Sequence, residues 1–249
     1  MKHIPIGSRC HLFAFDTLGP MITHVTVIDS PRTLFVIDTF LGPDSMKDVM
    51  DALGQPARDK PAIVINTHFH WDHIWGNCFF PDARIIAHST CRTLIRDHSE
   101  SELVRFARFA AGPVRIVLPN LTFDTRLEFP DEGIELLHTP GHSEDSISIV
   151  DHEDRVVIAG DNIEAPIPYL SDPDIRRFAE TLNGYRAFAG YRFIAGHADD
   201  SDGTLLTANI EYLDALLAGK ADRFDRDPFR AIHRANLAVL EGRVPDEPV

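Results

Sequence analysis

The amino-acid sequence predicts an α/β fold in which two β-sheets are sandwiched between helices. Three observations carry this. Short apolar, strand-like runs alternate with amphipathic helical stretches twice over, roughly across 10–89 and 115–219. A composition of 44% hydrophobic and 25% charged residues matches an ordinary folded chain. The 249 residues contain no internal repeat, low-complexity tract or long Gly/Ser linker, so 1–249 reads as a single domain.

The elements follow in order. Thr23–Asp29 and Arg32–Asp38 flank Ser30-Pro31 and read as a hairpin. Asp44 is placed to cap a helix whose apolar face is Met46, Val49, Met50 and Leu53, with Gly54 as its stop. Pro61–Ile65 is a continuous apolar run, the pattern of a buried strand. Arg84–Ala87 is a further strand, and a helical insertion follows over about 89–114. Phe123–Phe129, Gly133–Leu137, Ser146–Val150 and Arg155–Ala159 read as paired strands with tight acidic turns. Pro173–Ala189 has a helical pattern, Arg192–Ala195 is a last strand, and Leu205–Leu217 is an amphipathic helix. A C-terminal helical tail covers about 220–249, with a helix over Asp227–Leu240 and fraying after Gly242.

Composition narrows the function. Against 24 Lys+Arg stand 38 Asp+Glu, a formal charge of −14, so phosphate backbones are repelled and nucleic acid is a poor partner. Cys10, Cys78 and Cys91 form no CxxC and cannot pair fully, which excludes a disulfide scaffold or a cysteine zinc site as the organising feature. No apolar run approaches the roughly 18 residues of a membrane span, and the N-terminus lacks an apolar signal core. The expectation is a cytoplasmic protein with no membrane partner. The chain holds 13 His, more than its Cys, Met and Trp together.

Those histidines concentrate in Thr67-His68-Phe69-His70-Trp71-Asp72-His73, directly after the apolar run 61–65. Three specified His arise by chance at about 1 in 7,000 per start, from 13 His in 249 residues. Neutral imidazoles and carboxylates suit Zn²⁺ and similar ions. His68 and His70 project one way, while Asp72 and His73 reach a neighbouring position. Ligand-type residues recur downstream as His142, Asp161 and His197, each after an apolar strand and a Gly.

The motif His68-x-His70-x-Asp72-His73, followed by His142, Asp161 and His197, resembles the metallo-β-lactamase-fold hydrolase superfamily over roughly residues 10–220. Within it the resemblance is to the glyoxalase II-like and lactonase-like branch, which carries a bridging Asp. It implies a four-layered αββα sandwich, two mixed β-sheets flanked by helices. It also implies two divalent metal ions, zinc first, with manganese or iron as alternatives. His68, His70 and His142 would hold the first ion; Asp72, His73 and His197 the second; Asp161 would bridge them. The chain departs from the branch in two places. Ile74-Trp75-Gly76-Asn77 stands where glyoxalase II-like enzymes have Gly-Gly, and Glu164 stands where quorum-lactone hydrolases have Tyr.

The function this implies is binuclear hydrolysis, in which a metal-bridging hydroxide attacks a small carbonyl substrate: an ester, lactone or thioester. Asp72 is the catalytic candidate, orienting the nucleophile and shuttling a proton. Trp71, Trp75, Glu164 and Tyr169 are candidates for substrate binding. Asp38 reads either as support for the ligand loop or as a hairpin cap, and His138 either as a partner of His142 or as a plain histidine. Arg105, Arg108 and Arg115, with Phe106 and Phe109, read as solvated surface or as a lid. The competing functions are a mononuclear iron dioxygenase of sulfur compounds and, behind it, a phosphodiesterase or nuclease. The partner is a small-molecule substrate, and a homo-oligomer is compatible with the sequence.

Overall fold

The computed structural model describes residues 1–19, 21–198 and 203–243. Among these, the strands form two sheets. The first runs in chain order: β1 (Lys2–Ile6), β2 (Cys10–Leu18), β3 (Met21–Asp29), β4 (Leu34–Ile37), β5 (Ala62–Ile65), β6 (Arg84–His88) and β7 (Leu121–Phe123). The second contains β8 (Arg126–Phe129), β9 (Ile134–His138), β10 (Ile147–Asp151), β11 (Val156–Gly160) and β12 (Arg192–Ala195), in the order β12-β11-β10-β9-β8. Both sheets are mixed: β4 to β7 are parallel, as are β11 and β12, and the remaining pairs are antiparallel.

Alternation along the strands builds the layers. In β4, Phe35 and Ile37 face the second sheet, where they meet Leu136, Ile147 and Ile158 in the inter-sheet core. Leu34 and Val36 face outward onto α1 (Pro43–Leu53) through Met46 and Val49. On the far side, Val150, Val157 and Ala159 pack against α5 (Ile175–Gly184) and α6 (Thr204–Leu217) through Phe178, Leu182 and Leu213. The result is the expected four-layered αββα sandwich. Two short helices, α2 (Gln55–Arg58) and α3 (Trp71–Ile74), and the long α4 (Ser89–Arg105) lie between α1 and α5; α7 (Arg230–Leu240) follows α6. Among the described residues no helix is long and apolar enough to cross a membrane.

Several sequence expectations need correction. Strands β1 and β2 precede Thr23–Asp29, the first strand assigned from the sequence. Pro5 hides β1, but β1 is an edge strand, where the missing N–H costs no ladder bond. The stretch Phe123–Phe129 is not one strand. It breaks at Asp124-Thr125, so that β7 closes the first sheet and β8 opens the second. Asp44 is not the cap of α1: Gly42 occupies that position, Pro43 starts the helix, and Asp44 lies in its first turn. The helix expected over 89–114 is α4 plus a short turn at Ala107–Phe109. The tail residues 244–249 lie outside the described residues.

A buried ion pair ties the two sheets together. Arg9 precedes β2 of the first sheet and is 6% exposed; Asp151 ends β10 of the second and is fully buried. Arg9 donates from Nε and Nη2 to the two carboxylate oxygens of Asp151 at 3.1 and 2.6 Å. Its other donors reach Ser30 Oγ and the Glu132 carbonyl. The fork-to-fork geometry leaves neither charge without partners.

Candidate metal centre

The ligand residues sit where strands end. Parallel β4 and β5 run out at Asp38 and at Asn66-Thr67-His68, β11 at Asp161, and β12 at Gly196-His197. Sheet hydrogen bonding fixes the strands up to those points, and the loops beyond them turn side chains into one basin. The close approach is strict at Gly196, where a Cβ would meet Asp161 Oδ1 at 1.9 Å.

Two groups of ligand-type atoms result. His68, His70, His142 and Asp161 form one, and Asp72, His73 and His197 the other. His70 Nδ1 lies 3.0 Å from His68 Nε2 and 3.1 Å from His142 Nε2. His73 Nε2 lies 3.2 Å from His197 Nε2. Asp161 Oδ2 stands between the groups, 3.5 Å from His68 Nε2, 3.4 Å from His73 Nε2 and 3.1 Å from His197 Nε2. Asp72 Oδ2 is 3.3 Å from His197 Nε2. All seven sequence-predicted positions meet here.

The outer nitrogens determine what the inner ones present. His142 Nδ1 faces the Tyr169 carbonyl at 3.1 Å, and His197 Nδ1 faces the Ile22 carbonyl at 3.0 Å. A carbonyl only accepts, so each Nδ1 donates its proton and each Nε2 of the neutral ring carries a lone pair. Asp38 Oδ2 likewise accepts from His73 Nδ1 at 2.8 Å and from Thr67 Oγ1 at 2.7 Å. The Thr67 hydroxyl, its proton committed to Asp38, accepts from His68 Nδ1 at 3.1 Å. One carboxylate thereby sets the tautomer of two histidines. Lone pairs thus converge on one another and on Asp161, whose Oδ1 is buried with no hydrogen-bond partner among the described residues. Such an arrangement is repulsive unless cations fill it, and imidazole plus carboxylate is the donor set of zinc-like ions. The residues therefore fit divalent metal.

Proton affinities tell the same story. Burial holds His68 and His70 well below the ordinary imidazole range, which keeps them neutral. Burial also works against protonation of His197, but the carboxylates of Asp161 and Asp72 overcome it and push the ring up to about 9. A cation satisfies those carboxylates in place of protons.

Asp38 is the supporting residue left open by the sequence, and its backbone carries the strain of that task at φ +59°. Its carboxylate also accepts the Thr67 N–H at 2.8 Å. Asp38→Ala is expected to weaken metal binding about 10- to 100-fold, measured by competition with a chromogenic chelator. His138 is not the partner of His142. It stacks on His88, centroids 3.8 Å apart, and pairs with the Glu144 carbonyl.

Beneath the His142 loop, Asp145 is fully buried; Oδ1 accepts from Ser143 Oγ at 2.7 Å while Oδ2 has no hydrogen-bond partner among the described residues. Burial pushes this carboxyl up to about 6. The folded state then holds a proton that the unfolded chain releases near 3.9. Stability from this group is constant below about 4, falls as pH rises to about 6, and stays low above it. Asp145→Asn removes the penalty. Its stability relative to the parent is expected to grow by up to about 3 kcal/mol between pH 4 and pH 7, read by urea denaturation.

A cleft of about 360 Å³ opens over the centre. Of the four residues predicted to bind substrate, Trp71, Glu164 and Tyr169 line it and Trp75 does not. Trp75 is 1% exposed, packed with Ile74, Ala87, Cys91 and Ile95. Its position in the sequence motif suits a cleft residue, but the short turn after α3 points it into the layer under α4. Glu164 is buried behind His142, with Oε2 3.7 Å from Nδ1 and accepting from the Tyr169 N–H. Met21 and Phe106 also line the cleft. Met21 gave no sequence signal, because a residue at the tip of a hairpin has no periodicity. Arg105 lines the cleft too, whereas Arg115 is exposed and Arg108 lies over the Phe109 ring.

Fold and centre together define a class. The sequence profile of the metallo-beta-lactamase superfamily matches residues 18–241, and the chain belongs to that family. Among curated proteins it is 29% identical over 182 residues to an acyl-coenzyme A thioesterase, MBLAC2, of Gallus gallus, covering 64% of each chain. It is also 30% identical over 140 residues to the probable metallo-hydrolase MJ0296 of Methanocaldococcus jannaschii, covering 54% of this chain and 56% of that one. The chain thus spans between about half and just under two thirds of these relatives' length. Among solved structures, the DIM-1 metallo-beta-lactamase superposes with a TM-score of 0.71 at 14% identity, over 86% of this chain and 97% of that one. A metallo-beta-lactamase from Pontibacter korlensis gives 0.68 at 15% identity, over 86% and 98%. Identities this low speak for the shared fold alone.

Proposed function

We propose that the protein is a binuclear hydrolase of small carbonyl substrates, with a thioester as the first candidate ahead of an ester or lactone. The observation that carries this is Asp161 Oδ2, within 3.5 Å of His68, His73 and His197 and so shared by both ligand groups. The thioesterase relative supports the choice of thioester. The same reading takes 1–249 as one metallo-β-lactamase-like unit, supported by an inter-sheet core drawn from both halves.

In this reading His68, His70 and His142 would hold one ion, Asp72, His73 and His197 the other, and Asp161 would serve both. When bound, the ions acidify water and polarise the substrate carbonyl. Asp72, whose Oδ2 faces His197, would use Oδ1 to orient the attacking water and accept its proton. Asp38 and the Tyr169 and Ile22 carbonyls keep the imidazoles in the ligating tautomer throughout. Trp71 and Tyr169 border the substrate, and the surrounding apolar walls keep bulk water from competing.

The test is elemental analysis of the purified protein alongside hydrolysis of a panel of acyl thioesters, esters and lactones. The expected result is about two zinc-like ions per chain, thioester cleavage, loss of turnover on exhaustive chelation and its return with added Zn²⁺. One iron per chain with oxygen uptake and no hydrolysis would overturn it in favour of oxidative chemistry. With a formal charge of −14, the protein is expected not to be retained on a nucleic acid column at physiological salt.

A further inference from the structure

The cleft wall is more specific than hydrolysis requires. Trp71 lies between two ligand-type residues, His70 and Asp72. The indole stacks on Phe106 with centroids 4.6 Å apart and planes at 15°, and on Phe109 at 5.5 Å and 21°. Behind it stands the buried Trp75 at 5.1 Å. Phe106 follows the last turn of α4, and both Trp71 and Phe106 border the cleft. Met21, 38% exposed at the tip of the β2–β3 hairpin, faces the same cleft. Aromatic faces and a flexible thioether at a cleft mouth make a surface that water wets poorly and an apolar chain covers well. The guanidinium of Arg105, 5.1 Å from the Phe106 ring centroid, marks the polar boundary of this wall.

We infer that the Trp71–Phe106 wall, completed by Met21, seats the apolar acyl chain of the substrate and sets the enzyme's preference for chain length. This rests on the hydrolase reading above. Each methylene drawn from water onto such a wall is worth about fourfold in affinity, so a chain of four carbons is distinguished from one of eight by about two orders of magnitude. A substrate seated this way directs its leaving group away from the wall, so the leaving group contributes no such dependence.

The chain contains two tryptophans, and replacing Trp75 by Phe leaves Trp71 as the reporter. In that background, S-alkyl thioethers of N-acetylcysteamine, from ethyl to decyl, probe binding without turnover. Trp71 emission is expected to shift on binding, and Kd to tighten about fourfold per methylene until the cleft is full. Phe106→Ala is expected to flatten that slope, weakening the longest ligands by at least about tenfold, while the ethyl ligand and the metal content stay unchanged. A flat series in the parent, or an undiminished slope in Phe106→Ala, overturns the assignment. Esters that vary the acyl chain at constant leaving group should show the same slope in kcat/KM. A slope that follows the leaving group instead overturns the acyl assignment. Binding slope without any turnover would remove the hydrolase reading and leave the wall; turnover with a flat profile would remove the wall and leave the hydrolase.

Discussion

In the proposed two-ion centre, Asp161→Ala is expected to lose at least one ion and to reduce hydrolysis by about a hundred- to a thousandfold. Asp161 Oδ2 is within 3.8 Å of four imidazole nitrogens, so its removal takes away the anion that draws both groups together. A metal contributes several kcal/mol of charge stabilisation in a transition state, and each 1.36 kcal/mol is tenfold in rate. The backbone should tolerate the change, since Gly196 beside it loses a crowding partner and gains none. Elemental analysis and kcat on the best thioester are the paired readouts. Full metal retention in a well-folded variant would sink the bridging assignment even if activity fell.

The second large effect concerns stability. Arg9→Met is expected to destabilise the fold by about 3–5 kcal/mol, because the fully buried Asp151 carboxylate would lose its main partner. The double variant Arg9→Met, Asp151→Leu should recover much of that loss, since two apolar side chains of similar volume leave no stranded charge. Urea denaturation of the parent, both single variants and the double closes the cycle. A single variant as stable as the parent would mean that water already reaches the pair. The effect lies far from the ligand cluster, so metal content in the folded fraction should not change.

The parts of the centre legible in the sequence are those whose chemistry is local. His68, His70, Asp72 and His73 are crowded into six residues, and no packing requirement produces such a cluster. His142, Asp161 and His197 were legible because each follows an apolar strand and a glycine, and Gly196 shows why: a side chain there would strike Asp161. Asp38 could be suspected but not assigned. Its role depends on the left-handed backbone and on a parallel pairing of β4 with β5, which brings it to Thr67 and His73. Trp75 was misplaced because a sequence gives spacing from the ligands but not the direction in which a short turn aims a ring. Phe123–Phe129 looked like one strand because hydrophobic period two continues through it, and nothing in that pattern records that the chain changes sheets. Arg9 and Asp151 were invisible for a related reason: 142 residues separate them, and a buried charge pair leaves no periodic trace.

The spacing of the ligands along the chain has a consequence for how the protein comes to hold its ions. Four candidate ligands lie in one short turn, whereas His142 reaches His70 from 72 residues away and His197 reaches His73 from 124. In the metal-binding reading, such a turn would chelate an ion by itself, before either sheet exists. Unfolded chain therefore competes for the same metal as folded protein, and added zinc stabilises the native state by less than its native affinity alone would give. Capture by the turn also shortens the search that follows, because the later strands dock onto a cation already in place. If the centre takes two ions as proposed, a newly made chain in the presence of zinc should thus acquire the first early and the second only once β12 has joined the sheet.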